Sequence, residues 1–240
     1  MNPEKTLAII QARMGSSRLP EKVLIKIEGK SIIEHIVERV STCKEVDKII
    51  VATTTKEEDN EIEQVCNSLG VECFRGDENN VLQRFIEAAK KYNPKNIVRL
   101  TGDNPLIDTN YLDSTIKEHK EKNLDYTSSW TALPYGLGSE VVSYQALIKS
   151  LTQTQDKEHL EHVTLFITQN PGMFKIKTID SNFSNLHEKY KLSLDTKEDL
   201  KLINEVFKNL YRKGTINSKE IINLLENLRG KNEKSSDNRR

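Results

Sequence analysis

The chain has 240 residues, of which 36 are basic and 36 acidic, so its formal net charge is zero. This balance argues against a nucleic-acid scaffold, which normally carries a basic excess, but it permits a local cationic site for a nucleotide. No apolar run approaches the roughly 20 residues of a membrane span, and the first apolar run reads as a strand rather than a signal peptide, so we expect a cytoplasmic protein with no membrane partner.

Strand and helix patterns alternate through the first half of the chain. The predicted strands lie at 6–10, 48–52, 71–74 and 96–100, and the predicted helices at 32–40, 56–69, 80–92 and 109–122. Ser31 with Glu34 forms a capping box before the first helix, and Thr55 with Glu58 is predicted to cap the second. This alternation is typical of an α/β fold with a doubly wound, mostly parallel sheet, in which ligands lie beyond the carboxyl ends of the strands.

The pattern is less regular after about residue 124. Strands are predicted at 126–130, 140–143, 174–179 and 191–194, and helices at 157–170, from 197 onwards and at 218–228. The segment 124–180 is interpreted as a small inserted lobe for a second substrate or for dimer contact. Residues 1–229 are therefore predicted to form one domain, followed by a disordered polar tail at 230–240.

Cations and small residues follow the first predicted strand directly. Arg13, Arg18 and Lys22 lie within ten residues of one another, and small residues between them let backbone N–H groups turn towards an anion. The segment is not a Walker A loop, because that motif needs a second glycine just before Lys-Ser/Thr, whereas Val23 follows Lys22. It indicates a nucleoside triphosphate site; the alternative is a surface turn with incidental charges.

Two aspartates are candidate metal ligands. Asp103 lies in a Gly-Asp-Asn-Pro turn after the fourth strand, and Asp195 precedes a predicted helix, so each alone is also consistent with a turn or a helix cap. If both lie beside the cation-rich loop, they form a paired-carboxylate site for Mg²⁺ between triphosphate oxygens. Glu161 and His162 are candidate contacts for a second substrate, with a solvated helix face as the alternative.

Three charged residues flank the third predicted strand and the helix that follows it. Arg75, Asp77 and Arg84 either contact the base or ribose of a nucleotide, or pair with one another on the surface. The three cysteines form no CxxC pair and the histidines show no zinc-ligand spacing, so no other metal site is expected.

Six segments together, in their order and spacing, carry a resemblance to a known family. They are IIQARMGSSRLPEKVL (9–24), VATTT (51–55), FRGDENNVLQRF (74–85), RLTGDNPLID (99–108), EHVT (161–164) and LDTKEDL (194–200). On these segments the chain resembles the cytidylyltransferase family that includes spore coat polysaccharide biosynthesis protein F. It is also similar to the acylneuraminate and 3-deoxy-manno-octulosonate cytidylyltransferases, from about residue 6 to residue 210.

The resemblance implies a Rossmann-like nucleotidyltransferase that uses CTP and Mg²⁺ and is usually a homodimer. It implies that Arg13 and Lys22 are the catalytic cations that hold the triphosphate, and that Asp103 and Asp195 bind the metal. The remaining implied nucleotide contacts are Ala12, Gly15, Ser16, Ser17, Arg18, Asp77 and Arg84. The implied acceptor contacts are Glu140, Glu161 and His162.

Five positions depart from the pattern of this family. Glu21 stands where glycine is usual, Gly138 where aspartate is frequent, and Leu160 where arginine is common. Lys191 with Leu192 stands for a usual Arg-Trp pair. The segments implied to bind the nucleotide therefore match the family well. The segments implied to bind the acceptor are altered, so the identity of the acceptor is left open.

The predicted reaction is transfer of CMP from CTP to a sugar acid or a related small-molecule acceptor, with release of pyrophosphate, for surface polysaccharide or glycan biosynthesis. Alternatives are a nucleotidyltransferase that uses another triphosphate with a sugar 1-phosphate, and a glycosyltransferase of similar fold. Against the glycosyltransferase, Gly102-Asp103-Asn104 lacks the Asp-x-Asp metal motif. A non-catalytic nucleotide-binding regulator is a third alternative, and it needs neither the cations nor the paired aspartates.

Overall fold

A seven-stranded sheet forms the centre of the molecule. The computed structural model describes residues 5–16, 18–211 and 216–237. The strands in chain order are β1 (Thr6–Gln11), β2 (Lys26–Ile27), β3 (Lys30–Ser31), β4 (Lys48–Thr54), β5 (Glu72–Gly76), β6 (Asn96–Thr101), β7 (Tyr126–Ser128), β8 (Glu140–Ser143) and β9 (Ile176–Thr178). β2 and β3 form a separate hairpin, and the main sheet has the order β5-β4-β1-β6-β8-β7-β9.

Nine α-helices of the described residues surround this sheet. They are α1 (Ile32–Val40), α2 (Asn60–Leu69), α3 (Val81–Lys90), α4 (Thr109–Glu121), α5 (Tyr144–Gln153), α6 (Lys157–Glu161), α7 (Leu165–Gln169), α8 (Lys197–Leu210) and α9 (Ser218–Asp237). Within the described ranges, none of these helices combines the length and apolar character that a membrane crossing requires.

Both faces of the sheet are covered by helices. Ala8 and Ile10 of β1 belong to one apolar core with α1, α4 and α8, whereas Leu7 and Ile9 belong to a second core with α3, α5 and α7. Successive residues of a strand point to opposite faces, so a strand that is apolar throughout requires two such layers. The predicted doubly wound α/β fold is confirmed.

The segment 124–180 joins the main sheet and does not stand apart as a lobe. β8 pairs antiparallel with β6, β7 pairs antiparallel with β8, and β9 pairs parallel with β7. β8 is therefore the single antiparallel strand among the described strands of this sheet. Its reversed direction brings Glu140, the first residue of β8, to the edge where β6 ends.

The predicted helix at 157–170 is broken in the middle. α6 ends at Glu161 and α7 begins at Leu165. Val163 is fully buried, and the Thr164 hydroxyl donates to Glu140 Oε1 at 3.0 Å. Burial of Val163 and the hydrogen bond of Thr164 stabilise the broken helix more than a continuous helix would be stabilised. The chain therefore turns at His162.

Three other predicted boundaries also differ from the structure. A 3₁₀ turn at Glu57–Asp59 precedes α2, and Lys56 rather than Thr55 is its N-cap, without a side-chain bond. The predicted strand at 191–194 forms only an isolated bridge between Lys191 and Tyr135, because the neighbouring loop offers no regular strand edge. α9 continues to Asp237, so residues 230–237 are helical where a disordered tail was predicted, and residues 238–240 lie outside the described residues.

Arg39 connects α1 to two distant segments through the interior. Its side chain is 2% exposed, and its Nη2 donates to the carbonyls of Ile107 and Ile216, each at 2.6 Å. We expect Arg39→Met to lower the free energy of unfolding by roughly 2–5 kcal/mol, because both buried carbonyls lose their donor. Urea denaturation measures this change, and the exposed Lys44→Ala serves as control. A loss below that of the control variant contradicts this role for Arg39.

Candidate active site

The cation-rich loop leaves β1 at the carboxyl edge of the sheet, as predicted. The Ala12 N–H donates to the Ala52 carbonyl of β4, and Gly102 N–H donates to the Gln11 carbonyl at 2.8 Å. A Cβ on Gly102 would lie 3.0 Å from the Gln11 oxygen and 3.1 Å from the Ala12 Cβ. Glycine at this position therefore permits the β6 loop to approach the β1 loop closely, and Asp103 follows directly.

Lys22 lies between the two predicted metal aspartates. Its Nζ is 2.8 Å from Asp103 Oδ2 and 2.9 Å from Asp195 Oδ1. The segment before Asp195 is fixed to the β6 loop, because the Leu194 N–H donates to the Asp103 carbonyl at 2.8 Å. The structure thus brings together one cation and two carboxylates that are far apart in the sequence.

Further cations surround Asp195. Arg18 Nη2 lies 3.1 Å from Asp195 Oδ1, and Lys191 Nζ lies 3.0 Å from Asp195 Oδ2 and 2.8 Å from Asp199 Oδ2. Lys191 replaces the family arginine and keeps a positive charge beside this carboxylate. The charge on Asp195 is therefore compensated from three directions.

This network favours the charged forms of Lys22 and Asp195. Burial alone would lower the pKa of Lys22, but Asp103 and Asp195 outweigh it and raise that pKa above its ordinary value. Burial would raise the pKa of Asp195, but the hydrogen bonds from Lys22 and Lys191 lower it. The stabilisation from Lys22 is lost only as the pH rises through its raised pKa, and that from Asp195 only as the pH falls through its lowered pKa.

A cleft of about 280 Å³ opens above this network. It is lined by the predicted residues Ala12, Arg13, Gly15, Ser16, Arg18, Lys22, Arg84, Asp103, Glu161, His162 and Asp195. Ser17 lies outside the described residues. The loop, the β6 turn, α3 and the α6–α7 junction therefore meet at one cleft.

Arg84 is the deeply buried cation of this cleft. Its side chain is 2% exposed, Nη1 donates to the Asp77 carbonyl at 2.6 Å, and the buried Nε has no partner among the described residues. Burial lowers the pKa of Arg84, with a further lowering from Arg13. Arg84 thus places a positive charge in the wall of the cleft, which favours an anion there.

The side chains of Asp77 and Arg75, two candidate nucleotide contacts, bond to the protein backbone rather than facing the cleft. The Asp77 carboxylate accepts from the N–H groups of Asn79 and Asn80, and Asp77 does not line the cleft. Arg75 donates to the carbonyls of Thr54 and Lys56 and so ties β5 to the segment before α2. Asp77 therefore contributes to the cleft through its backbone carbonyl, which holds Arg84.

A second cavity, of about 470 Å³, adjoins the cleft. Asp103, Asp195 and His162 line both spaces. Trp130 and Tyr135 line the second cavity, with ring centroids 5.1 Å apart and nearly perpendicular planes. The two spaces can therefore hold two reactants on either side of the aspartate pair.

Glu140 lines the second cavity as a fixed residue. It is 7% exposed, and its carboxylate is bonded by Arg99, Tyr126 and Thr164. These three contacts anchor β6, β7 and the α6–α7 junction to β8. Glu140 thus determines the shape of the cavity that was predicted to bind the acceptor.

Positive φ and close contacts account for two departures from the family pattern. Glu21 has φ 56°, in the left-handed region that favours glycine, and it is exposed outside the cleft lining. A Cβ on Gly138 would lie 2.6 Å from the Ser129 carbonyl oxygen and the Trp130 Cα. An aspartate at 138 therefore requires a backbone shift next to Trp130 in the second cavity.

Asp59 is a residue of this region that the sequence pattern did not reveal. It is fully buried, and its carboxylate accepts from the Met14 N–H at 2.7 Å and from both the N–H and the hydroxyl of Thr54. The only signal in the sequence was an acidic helix start, which is common at any helix N-terminus. Asp59 fixes the cation-rich loop to the end of β4.

We expect Asp59→Ala to destabilise the fold by about 2–4 kcal/mol, because the Met14 N–H and the Thr54 groups lose their buried acceptor. Thermal or urea unfolding measures this loss. Exposed Glu57→Ala, two residues earlier, is the control and is expected to stay within about 0.5 kcal/mol of the native chain. Equal stability of the two variants contradicts the anchoring role of Asp59.

The donor chemistry of the aspartate pair suits Mg²⁺. Asp103 and Asp195 supply hard carboxylate oxygens close enough together to share one ammonium group. No group of three or more metal-binding side chains occurs in the described part of the chain. Mg²⁺ is typically bound by one or two carboxylates together with substrate phosphates, so this pair fits that ion.

A doubly wound sheet with a cation-rich loop and paired aspartates at its carboxyl edge defines a nucleotidyltransferase type of α/β protein. A model of the cytidylyltransferase family matches residues 7–227, and the chain belongs to this family. It is an enzyme of the CTP-dependent nucleotidyltransferase class.

Three known proteins illustrate the similarity. Spore coat polysaccharide biosynthesis protein SpsF of Bacillus subtilis is 37% identical, over 91% of this chain and 93% of its own length. A cytidylyltransferase structure from Leptospira borgpetersenii superposes with TM-score 0.88 at 28% identity, over 94% of this chain and 95% of that one. The CMP:2-keto-3-deoxy-manno-octonic acid synthetase structure shares the fold, with TM-score 0.69 at 20% identity over 85% and 99%.

Proposed function

We propose that this cytidylyltransferase transfers CMP from CTP to a sugar acid or a related acceptor and releases pyrophosphate, for surface polysaccharide or glycan biosynthesis. The observation that carries the proposal is the position of Lys22, whose Nζ bonds both Asp103 and Asp195 where the cleft and the second cavity meet. This arrangement supplies charge compensation at the boundary between two reactant spaces.

The chemistry is an in-line attack of an acceptor oxygen on the α-phosphorus of CTP. Arg13 and Lys22 neutralise the charge that develops on the leaving pyrophosphate, and Arg84 holds an anionic group of the nucleotide from the cleft wall. Preorganised cations of this kind lower the barrier because they need no reorientation during the reaction. Positioning of the two reactants contributes the remainder.

Asp103 and Asp195 are the residues that would hold Mg²⁺. The ion would supply further neutralisation of phosphate charge when it is bound. Lys22 would contribute its own positive charge beside them, because the two carboxylates raise its pKa and favour its charged form.

The second cavity is proposed as the acceptor site. His162 lines both the cleft and the second cavity, Glu161 lines the cleft, and the fixed Glu140 shapes the second cavity. The name of the B. subtilis relative supports a polysaccharide precursor as acceptor, and that of the octonic acid synthetase supports a sugar acid. The proposal includes a homodimer, as the family resemblance implies, and a cytoplasmic location, as expected from the sequence.

The test is pyrophosphate release by the full chain with Mg²⁺ and each of the four ribonucleoside triphosphates. The acceptors are 3-deoxy-manno-octulosonate, N-acetylneuraminate, glycerol 3-phosphate and a sugar 1-phosphate. We expect release with CTP and a sugar acid. Faster release with another triphosphate and the sugar 1-phosphate supports the alternative nucleotidyltransferase, and CTP binding without release under any condition supports a regulator.

A further inference from the structure

We propose that His162 is the general base that takes the proton from an attacking hydroxyl group of the acceptor. This inference rests on the proposed cytidylyl transfer. It gives His162 a catalytic role where the family resemblance implies only an acceptor contact.

The position of His162 is the first support. Five residues line both the cleft and the second cavity, namely Arg18, Thr101, Asp103, His162 and Asp195. The oxygen that attacks the α-phosphorus must lie where these two spaces meet. His162 is the one residue of the five with an imidazole ring, the side chain that most often serves as a general base.

The other proton acceptors at this boundary are already engaged. Asp195 is bonded by Lys22, Arg18 and Lys191, and Asp103 is bonded by Lys22. A carboxylate held by cations is a weak base, because the cations favour its charged form. No described residue hydrogen-bonds to the His162 ring, so a ring nitrogen is available to the acceptor.

The break between α6 and α7 holds His162 in place. Its N–H donates to the Glu158 carbonyl at 2.8 Å, and its own carbonyl accepts from the Leu165 N–H at 2.6 Å. The next two residues are fixed by burial of Val163 and by the bond from Thr164 to Glu140. A continuous helix would carry His162 elsewhere, so the anchored break serves to present this ring.

The charges in the second cavity favour an acceptor that attacks through a hydroxyl. Its two arginines are both paired, Arg18 with Asp195 and Arg99 with Glu140, and Asp103 adds a further carboxylate. Such a cavity is poorly suited to a phosphate dianion. Its hydroxyl and amide side chains suit a polyhydroxylated molecule; they are Thr101, Asn104, Tyr135, Thr164, Thr168 and Ser193.

The proton transfer to His162 and the attack on the α-phosphorus balance in atoms and electrons. The O–H bond of the acceptor breaks and its proton moves to a ring nitrogen of His162, while the oxygen forms a bond to the α-phosphorus. The bond from that phosphorus to the bridging oxygen breaks, and pyrophosphate leaves with the electron pair. Because the His162 side chain is exposed, the proton then passes to water. The charged residues that share a cavity with His162 are Arg13, Arg18, Lys22, Arg84, Arg99, Asp103, Glu140, Glu161 and Asp195.

The experiment compares His162→Ala, His162→Gln and the matched control His159→Gln in the full chain. His159 lies one turn earlier in α6, bonds Thr154 and Gln169, and lines neither cavity. The probes are CTP, Mg²⁺ and whichever of 3-deoxy-manno-octulosonate and N-acetylneuraminate gives faster pyrophosphate release. CTP affinity is measured by calorimetry for every variant.

Both His162 variants are expected to lose about 10²- to 10⁴-fold in kcat, with CTP affinity unchanged, and added imidazole is expected to restore part of the rate of His162→Ala. His159→Gln is expected to match the native chain. A native-like kcat in His162→Gln, or no rescue by imidazole, overturns the inference while the proposed function stands. Release with glycerol 3-phosphate alone overturns it too, and no release from the native chain with any acceptor overturns the proposed function itself.

Discussion

Lys22→Ala is expected to lower kcat for pyrophosphate release by about 10²- to 10³-fold, the range observed when one preorganised donor is removed from an active site. Among the described residues, the Lys22 ammonium is the one group that bonds both Asp103 and Asp195, at 2.8 Å and 2.9 Å. Without it, Asp103 loses its ion pair while Asp195 keeps Arg18 and Lys191, and the leaving pyrophosphate loses a neutralising charge. The fold does not depend on this side chain, because Lys22 lies at the cleft surface rather than in either core.

Lys26→Ala is the matched control for Lys22. Lys26 is exposed in the small β2–β3 hairpin, four residues further along the same segment. Pyrophosphate release and thermal unfolding are measured for both variants. The interpretation requires a large loss of kcat in Lys22→Ala with a melting temperature close to that of Lys26→Ala. Near-normal turnover in Lys22→Ala removes this residue from the mechanism.

The layered α/β fold and the first loop could be predicted because local patterns determine them. β1 contains the apolar run Leu7–Ile10 and β4 the apolar run Ile49–Ala52, and the capping box predicted at Ser31 is present in the structure. Arg13, Arg18 and Lys22 follow a buried strand directly, so their place at the sheet edge needs no knowledge of distant contacts. Parallel strands share one carboxyl edge, and this rule also located Asp103.

Contacts between distant segments determine what the sequence did not reveal. Asp195 reaches Asp103 because the chain returns along Tyr135 and Leu194, a path without regular strand structure. β7 and β9 have three residues each, too few to show whether they extend the main sheet. Asp59 resembled a residue of an ordinary helix start, and only its burial against Met14 identifies it as an anchor of the loop.

The helix break at His162, beside the two cavities, is a further feature that local sequence patterns do not predict. Apolar residues recur with helical spacing across 157–170, and that periodicity alone predicts one helix. In the structure, the Thr164 hydroxyl instead donates a hydrogen bond to the buried Glu140 carboxylate. Helix α6 ends at Glu161, which permits this contact. A buried carboxylate without its partners costs more free energy than the few backbone hydrogen bonds that the break forfeits.

Asp103→Asn is expected to reduce kcat by two to three orders of magnitude, about the loss expected for a group that acts on transition-state charge. The amide keeps the size of the side chain but removes the negative charge that bonds Lys22. It also removes one of the two carboxylates proposed to hold Mg²⁺, so the Mg²⁺ concentration for half-maximal rate is expected to rise. Pyrophosphate release is measured across a Mg²⁺ titration at saturating CTP.

Asp180→Asn, at an exposed position that lines neither cavity, is the control for the loss of one negative charge. The Mg²⁺ titration separates the two contributions of Asp103. A lower kcat with an unchanged Mg²⁺ requirement assigns Asp103 to the positioning of Lys22 alone, because a lost metal ligand must weaken metal binding. A lower kcat with a raised requirement supports both roles. Turnover equal to that of Asp180→Asn excludes Asp103 from the chemistry, and with it the paired-carboxylate site that the convergence with Asp195 suggests.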